Sequence, residues 1–411
     1  MPGSKREGLA GPWPRGVNNK LPDRLVPDDA LRNAVDVELT AAGTLRRRDG
    51  YTLRTAGSFH SLWAEDGVAL AVKNGSLVAL DASLNETVLQ GGLSPTNRMA
   101  YLSTPLGVYF SNGVVTGRYV NGAVRPWGIE HAAAQPRLTA IGAGGLDAGR
   151  YQVAITYLAA DGEEGGTTTA VAVDVTSGGG IRAAAIPQPA FSGVTHIALY
   201  VTQANGDTLY HYGTFAVGTT SIDIARSATL GRQLSRQFLY PMPAGTALEE
   251  FNGRLYTAVG NQLWYSEPYD YGQRSPGNFF LFPEAITIVS RAGSAGIHVA
   301  SDQHYLMSGT GPETFSLVPV LERRGVRGTL TKLPNGIARC WVTEDGMTLS
   351  PGDGSLEPRL DKQLVLEEST EGAVLYKEQD GEQFIIASLL DGTQSAAVAG
   401  DFVDAEVIRR S

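Results

Sequence analysis

The residues best equipped for chemistry are few and scattered. His60, His131, His196, His211, His298 and His304 share the chain with a single cysteine, Cys340. His298 and His304 fall in one expected hairpin, where a metal-ligand role competes with ordinary strand packing. Asp345 and Asp353 each precede a glycine. Two carboxylates separated by about 5–9 Å could hydrolyse a glycoside, but aspartate before glycine is a turn residue first, because it tolerates left-handed backbone. "DASLNETV" (81–88) opens like a calcium loop. It lacks the glycine at the sixth place and the acid at the twelfth, so it reads as a turn. No Walker A loop, nucleophile elbow, His-Glu-x-x-His or Cys-x-x-Cys occurs. The chain is not expected to be an enzyme or to hold a metal or other cofactor.

Residues suited to binding are easier to find. "RNAVDVELTAAGTLRRRDGYT" (32–52) runs an alternating strand into a Gly43 turn and then into Arg46, Arg47 and Arg48. Arginine forms bidentate pairs with carboxylates and keeps its charge when partly buried, which suits assembly contacts. Two other uses remain open, a place within a folded strand and contact with DNA. A second basic cluster, Arg323, Arg324 and Arg327 with Lys332, reads either as a solvated loop or as a contact for an acidic neighbour or a phosphate backbone. The aromatic stretch 265–285 includes Tyr269 and Tyr271. It serves as core or as an interface rich in contact area. Ahead of all these lies an aperiodic arm rich in Gly, Pro and Asn. Its Trp13, Leu21, Leu25 and Val26 suit an arm docked on a surface better than a free terminus, and Trp13, Asn18, Asn19 and Leu21 are its candidate assembly contacts.

The elements that must position these residues are read from the Asn-Gly and Asp-Gly pairs. They begin at Asp49, Asp66, Asn74, Asn112, Asn121, Asp161, Asn205, Asn252, Asn335, Asp345, Asp353, Asp380 and Asp391. Many sit between short apolar runs, the strongest local signal for a β-hairpin. The best helical candidate is only "DDALRNAVDV" (28–37). The hairpins group into about six units, each roughly 40 residues long, as in β-propeller blades, with a multi-sheet sandwich as the competing arrangement. Residues 133–242 have longer alternating strands, such as Tyr151, Val153, Ile155 and Tyr157. They suit an immunoglobulin- or fibronectin-like sandwich without a disulfide. The expected organisation is all-β: an extended arm over 1–35, a propeller-like body over 36–132 and 243–411, and an inserted β-sandwich over 133–242.

Composition narrows the function classes. The 411 residues include 50 Gly and 21 Pro, a turn-rich usage, and 42% are hydrophobic, ample for a core. One cysteine allows no disulfide within the chain and suits a reducing cytoplasm. No apolar segment follows Lys5 and Arg6, so no signal peptide is expected, and no run is long enough to span a membrane. A formal net charge of −9 argues against broad adhesion to nucleic acid.

With these residues in view, "GVNNKLPDRLVPDDALRNAVDVELTAAGTLRRRDGY" resembles the N-terminal region of tail structural proteins of double-stranded DNA bacteriophages. Those proteins tend to open with an Asn-Asn arm, an A-x-N-V-D strand and a G-x-L-x-R-R-x-G turn. Here Ala34, Val35 and Val37 surround Asp36, where Asn is common, and Gly43, Leu45, Arg47, Arg48, Gly50 and Tyr51 match the turn. "FNGRLYTAVGNQLWYSEPYDYGQRSPGNFFLFPEAITIV" (251–289) and "HYLMSGTGPETFSLVPV" (304–320) continue the likeness. The resemblance implies a nozzle or hub protein of a short-tailed phage, located in the virion and assembled in the host cytoplasm. It further implies a ring, commonly a homohexamer, that continues the DNA ejection channel, with the genome passing unread. Adjacent tail or adaptor proteins, and tail fibres or a tip, would be its partners. A carbohydrate- or receptor-binding propeller module is the alternative.

Overall fold

A computed structural model describes residues 11–34, 37–40, 42–47, 50, 52–190, 193–225, 230–334, 336–366, 369–379, 382–391 and 406–409. Four Asx-Gly pairs adopt positive φ at both residues: Asp66-Gly67, Asn74-Gly75, Asn121-Gly122 and Asn252-Gly253. Such turns match the right-handed twist of the strands they join. They close hairpins at Phe59–Glu65 to Val68–Lys73, Val68–Lys73 to Ser76–Leu80, Thr116–Val120 to Ala123–Arg125, and Leu248–Phe251 to Arg254–Val259. Asn112 acts differently, its Oδ1 accepting from the amides of Val114 and Val115. The pairs at Asp49, Asn335, Asp380 and Asp391 involve residues outside those described.

The hairpins join into six small antiparallel sheets. The first contains Phe59–Glu65, Val68–Lys73, Ser76–Leu80 and Glu86–Gln90. The second contains Ala100–Thr104, Gly107–Ser111, Thr116–Val120 and Ala123–Arg125. The third follows only after residue 240, with Leu248–Phe251, Arg254–Val259, Gln262–Tyr265 and Phe279–Leu281. The fourth runs from Ile288–Arg291 to Ser316–Leu321, and the fifth from Thr331–Lys332 to Glu357–Arg359. The sixth contains, among the described residues, Ser369–Gln379, Glu382–Asp391 and Glu406–Arg409. In each, the strands lie side by side in their sequence order, the meander of a propeller blade, although in the third the short strand Gln273–Arg274 intervenes and pairs elsewhere. The fold is all-β and propeller-like, and no α-helix occurs among the described residues.

Between the second and third sheets lie two others. One pairs Arg137–Ile141, Gly180–Ala184 and Ser221–Ile224; the other has the order Val171–Val175, Gly149–Ala159, Val194–Val201, Tyr210–Ala216. Tyr151, Val153, Ile155 and Tyr157 alternate inward and share one core with Ile181, Ile197, Leu199 and Ile224. This is the expected β-sandwich. The compact units of the chain divide elsewhere than at 133 and 242: one is Met1–Ala100 with Phe282–Ser411, the other Tyr101–Leu281. The second and third sheets cluster with the sandwich because both connections into it are hydrogen-bonded to one loop. The amide of Ala132 donates to Gly166 O, that of Thr167 to Arg236 O, and that of Phe238 to Thr167 O.

In the first unit, the fifth sheet is apolar on both faces. Cys340, Val342 and Met347 pack with Ile385 and Ala387 of the sixth sheet, while Trp341 packs with Ile288 and Ala300 of the fourth. Trp341 Nε1 donates to His304 Nε2 at 2.8 Å, and His304 Nδ1 meets Arg323 O at 2.7 Å. Burial holds His304 neutral by lowering its pKa to about 4. The tautomer follows: Nδ1 carries the proton and donates to the carbonyl.

The arm is neither regularly extended nor helical over its described part. It forms one 3-10 turn at Asp23–Leu25. The best helical candidate, 28–37, does not form over its described residues, because Leu31 is already committed: its amide donates to Gly16 O and its carbonyl accepts from Asn18 N. The two-stranded ribbon Val37–Leu39 with Leu45–Arg47 follows. Its turn residue Gly43 has φ +74°, and a Cβ there would lie 2.6 Å from Pro14 N. The Trp13 amide donates to Gly43 O at 2.7 Å, which fastens the arm to the ribbon. A side chain at this glycine therefore meets both left-handed strain, about 1–2 kcal/mol, and a backbone clash. Gly43→Ala is expected to raise tryptic cleavage at Arg15, Lys20 and Arg24 by about tenfold. Unchanged cleavage rates would show that this contact does not hold the arm.

Candidate functional site

The assembly residues expected from sequence separate into used and unused groups. Arg46 lies opposite Glu38 in the ribbon, and its Nη2 reaches Glu38 Oε2 at 2.6 Å. It is a partner within the fold. Arg47 is exposed on the same strand, and Arg48 lies outside the described residues. Trp13 is half-buried against the ribbon turn. Asn18 is buried, and its Oδ1 accepts from the Leu21 amide; the Leu21 carbonyl in turn accepts from Arg32. Asn19 docks the arm on its own chain. Its amide donates to Gln363 O, its Nδ2 to Val365 O, and its Oδ1 accepts from Val365 N.

The second basic cluster is engaged within the first unit. Arg323 pairs with Asp345 at 3.1 Å and Asp361 at 3.4 Å. Arg324 pairs with Glu284 at 2.8 Å, and Arg327 with Glu371 at 3.4 Å. Lys332 Nζ reaches Glu65 Oε2 at 2.7 Å. Glu65 belongs to the first sheet, Glu284 to the loop before the fourth and Glu371 to the sixth, while Asp345 and Asp361 flank strands of the fifth, so the run that looks solvated in sequence staples sheets together. Tyr269 is 80% exposed. Tyr271 is instead core, because its ring meets Tyr109 edge-on at 5.8 Å and its carbonyl accepts from Trp127 Nε1.

The considered chemical residues serve the fold. Asp345 belongs to Arg323, and Asp353 accepts from the amide and hydroxyl of Ser355, which hold its pKa low. Asp81 closes a turn on Ser83 and Asn85. No cluster of three metal-ligating side chains occurs among the described residues. His298 is fully buried, and burial chiefly, then His304, lowers its pKa to about 4.

Two features were not anticipated. The first is an ionic junction in the second unit, built by the "DGEEGG" loop between Gly149–Ala159 and Val171–Val175. Arg118 reaches Asp161 at 2.8 Å and Glu163 at 3.3 Å, and Arg125 reaches Asp161 at 3.2 Å. Glu164 accepts from Thr156 Oγ1 at 2.5 Å and Tyr200 OH at 2.6 Å and pairs with Arg232. Glu163 lies so close to Gly272 that a Cβ there would come within 2.4 Å of its Oε1. Burial raises the Glu163 pKa to about 7; Asp161 and Asp270 add to the shift, and Arg118 and Arg236 only partly offset it. For Asp161 burial acts in the same upward direction, but the Glu163 amide, Arg118 and Arg125 outweigh it and the pKa stays low. The readable signal was an acidic pair flanked by glycines between two apolar strands.

The second feature is an open cavity of about 270 Å³ lined by Glu130, His131, Ala133, Tyr240, Pro241 and Arg274. The short pairing Tyr240–Pro241 with Gln273–Arg274 sets Tyr240 opposite Arg274. The His131 and Tyr240 rings lie 4.5 Å apart, and the Arg274 guanidinium sits 4.0 Å from the Trp264 ring centroid. Burial lowers the pKa of both Arg274 and His131, opposed by Tyr240 and Glu130 respectively.

No protein-family model matches the chain, and no curated protein matches it. Among solved structures it is similar to a streptogramin B lyase, with 12% identity, TM-score 0.34, and coverage of 81% of this chain and 92% of that one. Kluyveromyces lactis Hsv2 aligns at 9% identity and TM-score 0.29 over 79% of this chain and 86% of its own. The β-propeller domain of Myceliophteria thermophila Cps50 (Swd1) aligns at 14% and 0.24 over 51% and 67%. Similarity this distant transfers no activity, substrate or partner.

The junction predicts a pH dependence. With its folded pKa near 7 and an unfolded value near 4.5, Glu163 keeps a proton that the unfolded chain releases. Its stabilising effect is full below the unfolded value and is lost as pH rises towards 7, in total on the order of 3 kcal/mol. Thermal unfolding of the full chain should show the second unit melting several degrees lower at pH 7.5 than at pH 5, and Glu163→Gln should flatten that change. A wild-type profile as flat as the variant's contradicts the junction chemistry.

Proposed function

We propose that the chain is a structural subunit of a short-tailed phage tail, a nozzle or hub protein forming a ring, commonly a hexamer, around the DNA ejection channel. The observation that carries this reading is the seat of the N-terminal segment. The residues resembling the tail-protein signature fold into a ribbon fastened to its own body through Trp13, Gly43 and Asn19. That ribbon leaves Leu45 and Arg47 exposed, and Leu53 follows at 80% exposure. A clamped strap with an apolar and cationic outer surface suits docking on a neighbouring subunit or adaptor protein. The edge strand Ser316–Leu321 adds exposed Leu317 and Val318, with Pro319 limiting strand addition there. DNA would pass such a ring without specific binding, in keeping with the −9 formal charge.

The second reading, a carbohydrate- or receptor-binding propeller module, is favoured by one observation, the aromatic cavity beside Arg274. The two readings differ in oligomeric state and in the role of the ribbon. Because Arg46 already serves Glu38, the informative substitution is Arg47→Glu. Removing one charged contact from an interface weakens association by about 30-fold or more. In sedimentation, the wild-type chain should form a ring that Arg47→Glu shifts to monomer, and phage carrying the variant should lose the tail tip. Intact, infectious particles with unchanged ring mass would refute the ribbon's role.

A further inference from the structure

The cavity at Tyr240 and Arg274 has a chemistry that the assembly reading leaves unused. Arg274 is held flat by stacking on Trp264 at 4.0 Å, with Tyr240 at 5.9 Å on another side. Its guanidinium has one long hydrogen bond, from Nη1 to Ser275 O at 3.4 Å. Its Nε is buried with no partner, and no ion pair joins it to a carboxylate among the described residues. A guanidinium stays charged even when burial opposes it. Nε is closed off from a ligand, so the Nη groups, which carry only that long bond among the described residues, are the donors left for a planar carboxylate.

The rest of the cavity narrows the ligand. The tilted His131 and Tyr240 rings form an apolar wall suited to the C–H face of a sugar ring. Glu130, exposed on the rim, repels a dianion but accepts hydrogen bonds from hydroxyls. The volume of about 270 Å³ holds one such ring, and the open mouth leaves the rest of a longer ligand outside. The geometry points to a binding site for a carboxylate-bearing monosaccharide of the uronic-acid class. Arg274 takes the carboxylate, Tyr240 and His131 take the ring face, and Glu130 takes a hydroxyl. This stands whether the chain is a ring subunit or a monomer.

The test is calorimetric titration of the full chain with glucuronate, glucose, acetate and an acidic glucuronate-containing oligosaccharide. Glucuronate should bind in the millimolar range, at least about tenfold tighter than glucose or acetate, because only it engages both Arg274 and the ring wall. The oligosaccharide should bind at least as tightly if the natural source is a polymer, and more weakly if it is the free acid; both results support the site. Arg274→Gln should weaken glucuronate by about tenfold or more, and Arg274→Lys, which loses the fork but keeps the charge, by several-fold. If glucuronate and glucose bind alike, or if neither binds up to about 20 mM, the assignment fails. Sedimentation of the same samples reads the ring separately, so loss of one reading leaves the other standing.

Discussion

The structure depends on one constraint: a four-stranded sheet of short strands cannot bury its own faces. The fifth sheet shows this most clearly. Cys340 and Val342 face the sixth sheet while Trp341, between them in sequence, faces the fourth. Period-two alternation thus serves two neighbours at once, and every residue of the strand Arg339–Thr343 is buried. The polar cost of burying Trp341 and His304 is met by their mutual hydrogen bond and the carbonyl of Arg323. The sandwich meets the same constraint internally. Its two sheets share one core, which is why it can be carried as an insertion whose connections need only a clamp.

Electrostatics then acts as fastening. Arg323, Arg324, Arg327 and Lys332 each find a carboxylate far away in sequence within the first unit. Arg98 joins the same Glu371 that Arg327 reaches. In the second unit, Arg118, Arg125, Arg232 and Arg236 converge on one acidic loop. Partly exposed pairs of this kind contribute little singly, roughly 0–1 kcal/mol, and matter through their number and geometry. With so many cations engaged inside the fold, an exposed one such as Arg47 becomes informative.

Local chemistry was legible in the sequence. Asn74-Gly75 or Asn252-Gly253 requires left-handed backbone, and the turn follows from those two residues alone. The alternation of Tyr151, Val153, Ile155 and Tyr157 likewise announced an inward face. What depended on distant partners was hidden. Tyr271 looked like Tyr269 until Tyr109 and Trp127 were seen around it, and Arg324 looked solvated until Glu284 arrived from another sheet. The short helical candidate near Leu31 was lost for the same reason, since its backbone is spent on Gly16 and Asn18. The cavity was invisible because Glu130, His131, Tyr240 and Arg274 meet only after the sandwich is inserted between them.

The claim on which the account turns is that these stapled sheets form the wall of a multi-subunit tail ring. Cryo-electron microscopy of virions purified from the producing host, with this chain located by a bound antibody, tests it most directly. The account predicts several copies arranged about the axis at the tail, each ribbon seated against a neighbouring polypeptide. Particles that contain no copy of the chain, or copies standing singly with the ribbon in solvent, would contradict it.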